Sequence, residues 1–159
     1  MRIKRIFAIL FLALGILLFL TPGTLAPVCP IMPDGSFGQL ADRHLQLKVR
    51  FGVKPDGSFM KCHWMDIAEQ GLGAVIAFGG VLALLFPEKL GAGIAAMNLG
   101  LGVLSFLFAK SLIGGCKMHD MACNLYTRPM VYFLSVLLIS VSAVYLLLAL
   151  RGETAHGRT

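Results

Sequence analysis

The chain has 159 residues, of which 57% are hydrophobic and only 14% are charged, and its formal net charge is +6. A soluble domain carries roughly 25% charged residues, so this composition excludes an ordinary soluble globular protein and indicates an integral membrane protein. The basic residues stand singly at the ends of apolar runs, where they anchor helices and set orientation, and no nucleic-acid-binding pattern accompanies them.

The first apolar run predicts a membrane-spanning helix over residues 6–26. Three basic residues precede the run, which is typical of a cytoplasmic end: Arg2, Lys4 and Arg5. Pro22 and Pro27 are expected to disturb its outer end. A cleaved signal peptide is the alternative, since residues 24–26 loosely match the small-residue cleavage pattern, but a proline directly after that site disfavours cleavage.

Residues 27–66 form a predicted outer loop with the composition of a small aqueous subdomain. The turn sequence Pro-Asp-Gly-Ser-Phe occurs in it twice, at residues 33–37 and 55–59. Between these turns, residues 44–51 alternate polar and apolar side chains, which is the pattern of a half-buried strand. We therefore predict a β-hairpin cap whose return strand covers about residues 58–63.

The second and third spans are predicted over residues 67–86 and 90–113, and only a tight connection separates them. Two antiparallel spans joined so closely are expected to pack together through small residues: Gly71, Gly73, Ala77 and Gly80 on one helix, and Ala92, Ala96 and Gly100 on the other. Asn98 is a strongly polar residue well inside the third span. An interhelical hydrogen bond is its favoured interpretation, and a transport role is the alternative.

A second outer loop, residues 114–129, precedes a fourth predicted span over residues 130–150. Basic residues are more numerous on the predicted cytoplasmic side than outside, with Arg2, Lys4, Arg5, Lys89, Arg151 and Arg158 against Lys110, Lys117 and Arg128. The predicted fold is an all-α bundle of four transmembrane helices with a small β-hairpin cap in the first outer loop. We expect a multi-pass protein of the cell membrane, in contact with the lipid bilayer, with both termini cytoplasmic.

All four cysteines fall in the outer segments: Cys29, Cys62, Cys116 and Cys123. An oxidising outer face favours two structural disulfides, and four cysteines allow three connectivities that the sequence leaves open. Pairing within each loop joins Cys29 to Cys62 and Cys116 to Cys123. Pairing across the loops instead ties the hairpin to the ends of the third and fourth helices.

The same segments hold side chains that bind soft metals: Cys62, His63, Met65, Cys116, Met118, His119, Met121 and Cys123. Thiolate, thioether and imidazole groups select copper(I) and also suit zinc, so metal handling is the main alternative to a disulfide-braced cap. A membrane thiol oxidoreductase comes third. Such enzymes use a Cys-x-x-Cys pair, whereas Cys116 and Cys123 are further apart, so we expect no catalytic residues and no resident cofactor.

Asp66 and Glu69 fall in the first turn predicted for the second span, where the positive end of the helix dipole favours negative charge. Helix capping and anchoring at the membrane interface explain both residues, and Trp64 at the same level is an interfacial aromatic. An acidic pair that guides a cation is the alternative.

Three features together resemble a bacterial four-span family, the domain of unknown function 4418: the Cys-His-Trp sequence at residues 62–64, the Gly-Leu-Gly at residues 71–73, and the paired Cys116 and Cys123. The resemblance covers residues 29–150. It implies the four-span topology and no established activity, and members resemble accessory partners of ABC-type permease systems. We therefore expect a non-enzymatic accessory or partner-binding membrane subunit.

Overall fold

The computed structural model describes residues 2–26, 61–86, 88–114 and 123–156. Within these ranges lie four long helices: α1, Arg2–Leu20; α2, Lys61–Leu85; α3, Glu88–Leu107; and α4, Arg128–His156. Short π-helical segments extend α1 through Thr21–Leu25 and α3 through Phe108–Leu112, and another, Cys123–Thr127, leads into α4. All four helices are long and apolar enough to cross a membrane. The predicted all-α, four-span fold is confirmed.

The helices form an up-and-down bundle in which each runs antiparallel to two neighbours. Helix α1 lies against α2 and α4, and α3 completes the ring between them. We call the end of the bundle that carries Ala26, Lys61 and Cys123 the loop end, and the end at Phe86 the turn end. At the loop end, Thr127 Oγ1 donates a 2.7 Å hydrogen bond to the carbonyl of Ala26.

At the turn end, the start of α1 contacts the connection between α2 and α3. The ammonium group of Lys4 donates a hydrogen bond to the carbonyl oxygen of Phe86, between α2 and α3. Large apolar side chains remain exposed along the helices, for example Phe78 at 62% and Phe133 at 61%. An exposed apolar surface of this extent faces lipid.

Helices α1 and α2 approach each other through glycines. A methyl group added at Gly80 would lie 2.6 Å from the backbone nitrogen of Leu12, and one added at Gly73 would overlap the backbone of Phe19. Gly15 of α1 is equally close to the backbone of Ala77. Only a residue without a side chain permits helix backbones to lie this near to each other.

The predicted small-residue seam between the second and third helices is therefore wrong. Gly73 and Gly80 face α1, and between them Gly15 of α1 faces Ala77, so glycines of both helices allow the closer approach. On α3, Ala96 and Gly100 are exposed, and a methyl group added at Gly100 would have no atom of another helix within 4 Å. A short connection made α2 and α3 sequence neighbours without making them the closest pair in the bundle.

The predicted β-hairpin falls almost entirely on residues 27–60, outside the residues that the structure describes. Its last three residues, 61–63, form the first turn of α2, so the return strand is wrong there. The helical period explains the difference, since Met65 and Asp66 already lie on the buried face of α2, ahead of the predicted start of the span at residue 67. No strand occurs within the described ranges.

Arg128 caps the end of α3 at the loop end. The chain leaves the helix at Gly114, whose φ is +67° and whose N–H donates to the carbonyl of Phe108 at 3.0 Å. The carbonyl oxygen of Ala109 accepts instead from Arg128 Nε at 3.0 Å and from the hydroxyl of Tyr132 at 3.1 Å. Arg128 also donates to that hydroxyl at 2.9 Å.

Replacing Arg128 by methionine is expected to loosen this end of α3. The change removes the charge-assisted hydrogen bond to the buried Ala109 carbonyl and those to Asn124 and Tyr132, and such bonds are worth roughly 1.5–3 kcal/mol each. Amide hydrogen exchange across Phe108–Leu112 should become faster, as measured by mass spectrometry on the purified protein in detergent. Lys110→Met is the matched control, because Lys110 is exposed and its contact within the described part of the chain is with the ring of Phe106, at 5.8 Å. Equal effects of the two variants would contradict the capping role.

Candidate functional site in the bundle interior

A buried carboxyl group lies at the centre of the bundle, on α2. Glu69 follows Met65 by four residues and precedes Leu72 by three, so it belongs to the apolar stripe of the helix and is 0% exposed. Ser105 Oγ on α3 donates a hydrogen bond to Glu69 Oε2 at 2.7 Å. The other carboxylate oxygen, Oε1, is buried without a hydrogen-bond partner among the described residues.

Two serine hydroxyl groups, one on α3 and one on α4, extend the hydrogen bond at Glu69 into a row of contacts. Ser105 Oγ lies 2.8 Å from Ser135 Oγ, and Ser135 Oγ in turn lies 2.7 Å from the carbonyl oxygen of Val131 on its own helix. Both serines are 0% exposed. Three helices therefore meet at one continuous row of oxygen atoms, which begins at a carboxylate and ends at a backbone carbonyl.

A second carboxyl group lies one turn closer to the loop end. Asp66 is only 6% exposed, and Gln70 Nε2 donates a 2.6 Å hydrogen bond to its Oδ1. The interpretation of Asp66 and Glu69 as first-turn capping residues is wrong, because α2 begins at Lys61 and both carboxyl groups are buried inside the bundle. Ionisable groups inside membrane helices are costly and mark functional positions by default.

A deeper polar layer is formed by Asn98 of α3 and Ser142 of α4. Both are 0% exposed, and neither side chain has a hydrogen-bond partner among the described residues. The interhelical hydrogen bond predicted for Asn98 is therefore wrong. Its Oδ1 faces Gly79 of α2, where an added methyl group would lie 3.4 Å away.

The helix register places these two residues at one level. Asn98 precedes Ser105 by seven residues and Ser142 follows Ser135 by seven, so each pair shares one face of its helix. Because Ser105 and Ser135 are in contact across antiparallel helices, Asn98 and Ser142 are also opposite each other. At 1.5 Å per residue, this layer lies about 10 Å nearer to the turn end.

Tyr145 of α4 adds a further polar group to the bundle interior, towards the turn end. It is 8% exposed, and its ring lies 4.9 Å from that of Phe7 and 6.3 Å from that of Phe11 on α1. Its hydroxyl oxygen lies beside Gly91 of α3, 2.5 Å from where a methyl group there would stand. We call the whole series the polar file, from loop end to turn end: Asp66, Glu69, Ser105, Ser135, Asn98, Ser142 and Tyr145.

The residues predicted to bind metal are only partly within the described chain. Met65 and Cys123 are both 0% exposed and lie in the same apolar cluster near the loop end. The side chains of the others lie outside the described residues: Cys62, His63, Cys116, Met118, His119 and Met121. No group of three or more metal-binding side chains of the His, Cys, Asp or Glu type occurs in the described part. Binding of copper or zinc stays a prediction, as does disulfide pairing, since Cys29 is also outside that part.

The three serines of the polar file were not predicted as site residues, and its two carboxyl groups were predicted to lie at a helix end. A usable signal was present, because Ser135 and Ser142 alternate with buried Leu138 at spacings of three and four residues. Glu69 likewise falls between Met65 and Leu72 on one stripe. A polar residue on the apolar face of a helix is the pattern that indicates an interior site.

Four long apolar helices around an interior of buried carboxyl, hydroxyl and amide groups define a multi-pass membrane protein. The chain belongs to the family described as domain of unknown function DUF4418, whose family model matches residues 11–148. The resemblance drawn from the cysteine-bearing segments is thereby confirmed. No curated protein and no solved structure matches the chain.

Proposed function

We propose that this protein is a non-enzymatic accessory subunit of the cell membrane that binds a partner membrane protein through one face of α3. The partner class is an ABC-type permease, which the family resemblance implied. The observation that carries the proposal is a row of small residues on the exposed side of α3, flanked by the large exposed side chains of Met97 and Val103: Gly93, Ala96 and Gly100.

These residues are spaced by three and four, so they lie on one side of α3. Apart from the adjacent backbone of α3 itself, no atom of the described residues comes within 4 Å of the point where a side chain would begin at Gly93 or Gly100. Gly102, by contrast, is used inside the bundle, where an added methyl group would lie 3.0 Å from Ile139. Small residues at such spacing let a second transmembrane helix approach closely, which supports a helix of a partner protein as the occupant.

The orientation in the proposal has both termini in the cytoplasm. The contact of Lys4 with the Phe86 carbonyl supports it, because it brings the basic start of the chain beside the α2–α3 connection. Arg128, at the opposite end, is held by its hydrogen bonds to Ala109 and Tyr132. Its location at the loop end therefore follows from capping and does not weaken the positive-inside argument.

The test is crosslinking in native membranes. A photoreactive amino acid at Ala96 is expected to capture a transmembrane subunit of a permease, whereas the same probe at Ala74, an exposed alanine of α2, should not. Gly100→Leu should lower co-purification of that subunit about tenfold, equivalent to roughly 1.4 kcal/mol, because the added side chain holds the partner helix away.

Ala74→Leu is the matched control and should leave co-purification unchanged. Capture of a second copy of this chain at position 96 would contradict the proposal and identify the face as a self-association surface. Loss of co-purification in both variants to the same extent would also contradict it.

A further inference from the structure

We propose that the polar file carries protons across the bundle, with Glu69 as the group that binds and releases them. The proposal goes beyond the partner-binding role and rests on the interior of the bundle, not on its lipid-facing surface. Its first support is the number of hydrogen atoms available to the oxygen–oxygen contacts around Glu69.

The row of oxygen atoms at Glu69 contains more hydrogen-bond contacts than there are hydroxyl hydrogen atoms to form them. Three oxygen–oxygen contacts follow one another, at 2.7, 2.8 and 2.7 Å: Glu69 to Ser105, Ser105 to Ser135, and Ser135 to the Val131 carbonyl. Two serine hydroxyls contribute two hydrogens. A proton on Glu69 Oε2 supplies the third. In this protonated state the direction of the first hydrogen bond is reversed, so that Glu69 donates to Ser105, Ser105 to Ser135, and Ser135 to the carbonyl.

The charges around Glu69 fit a proton as the bound species. The groups that face it are the hydroxyl of Ser105 on α3, the hydroxyl of Ser135 on α4 and the neighbouring Asp66–Gln70 pair on α2, while α1 meets α2 here through the backbone beside Gly73. The hydrogen bond that Glu69 makes among the described residues is the one with Ser105, and no described basic side chain pairs with it. A buried carboxylate without a cationic partner costs several kcal/mol, which a bound proton removes.

The remaining members of the file extend the site towards both ends. Asp66, one turn nearer the loop end, is 6% exposed and lies on the same face of α2. On the other side, the unpartnered atoms of Asn98 and Ser142 lie about 10 Å deeper, and Tyr145 follows near the turn end. Buried polar atoms without a protein partner are the groups to which internal water binds in proteins.

The transfer needs no chemical partner. A proton enters at the loop end, binds Glu69 and leaves at the turn end, or moves in reverse, and the electrochemical gradient supplies the driving force. One proton enters for each proton that leaves, so no bond beyond the O–H bonds is made or broken. The carboxyl, hydroxyl, amide and phenol groups of the file all accept or donate hydrogen bonds.

The test uses the full chain, reconstituted in vesicles of phosphatidylcholine and phosphatidylglycerol that enclose a pH-sensitive dye. A potassium diffusion potential set by valinomycin drives protons, and the wild type is expected to change the internal pH faster than protein-free vesicles do. Glu69→Gln should abolish the excess rate, because glutamine keeps the shape but cannot release a proton. Ser140→Ala is the control that should keep it, since Ser140 is exposed and its hydrogen bond among the described residues goes to Val136 of its own helix.

Asn98→Leu gives a second, independent block at the deeper layer, with elution profile and helicity checked for every variant. Infrared spectroscopy supplies a readout of the proton itself: the carbonyl stretch of a protonated carboxylic acid should be present in the wild type and lost in Glu69→Gln. The proposal is overturned if the wild type is no faster than empty vesicles, if Glu69→Gln keeps the excess rate, or if the flux requires sodium.

Discussion

Gly80→Ala is expected to destabilise the bundle more than the same change at Gly71, which faces open space, or at Gly79, which faces side chains. The new methyl carbon would lie 2.6 Å from the backbone nitrogen of Leu12, 2.9 Å from its Cα and 3.0 Å from the carbonyl oxygen of Ala8. All three atoms belong to the backbone of α1, so no side chain can rotate away. The two helices must separate, and overpacking of this kind costs about 1–3 kcal/mol.

The measurement is the free energy of unfolding in mixed detergent micelles, followed by circular dichroism during a titration with sodium dodecyl sulfate. Gly71→Ala is the matched control, since Gly71 lies on the same helix with nothing within 4 Å of the added carbon. That variant should be neutral or stabilising by roughly 0.5–1 kcal/mol, because alanine is the better helix former. If both variants shift the midpoint equally, the close approach of α1 and α2 at Gly80 is not what holds this pair together.

The four spans could be predicted because a helix in lipid must satisfy its own backbone hydrogen bonds. An apolar run of about 20 residues has no other stable conformation there, so the composition of each run decides its structure. The family resemblance, drawn from residues such as Cys116 and Cys123, was predictable for a different reason, since it depends on local sequence and not on packing.

Helix pairing could not be predicted in the same way. Gly73 and Gly80 are small residues that permit close approach, but the sequence does not say to which helix. Their partner is α1, whose own Gly15 faces Ala77 between them in the antiparallel register. That register depends on how all four helices fill the interior together, and a short connection between α2 and α3 does not determine it.

The interior site was missed for a related reason. A serine in a membrane helix usually bonds to the carbonyl four residues earlier, as Ser140 does to Val136 at 2.8 Å and Ser135 to Val131 at 2.7 Å. These two residues have the same local geometry, and in the sequence they differ only in helical spacing from residues such as Leu138. In the structure, the contact with Ser105 of α3 distinguishes the buried serine from the exposed one.

Ser105→Ala is expected to cost about 1–3 kcal/mol of unfolding free energy, although it removes a single oxygen atom. The variant leaves Oε2 of Glu69 without its hydrogen bond, while Oε1 already has no partner among the described residues. Leaving a buried polar group unsatisfied costs its desolvation energy, which exceeds the net contribution of an ordinary hydrogen bond. The same titration with sodium dodecyl sulfate measures the effect.

A double-mutant cycle separates this cause from a loss of packing. Glu69→Met replaces the carboxyl group by an apolar chain of similar length, and in that background Ser105→Ala should cost at least about 1 kcal/mol less, because no buried carboxyl remains to be stranded. Ser140→Ala should change stability by no more than about 0.5 kcal/mol in either background. Additivity of the two substitutions within roughly 0.5 kcal/mol would mean that Glu69 and Ser105 are not energetically coupled. The interior row of oxygen atoms would then be a consequence of helix packing, whereas strong coupling would make the Glu69–Ser105 contact a determinant of how α2, α3 and α4 are held together.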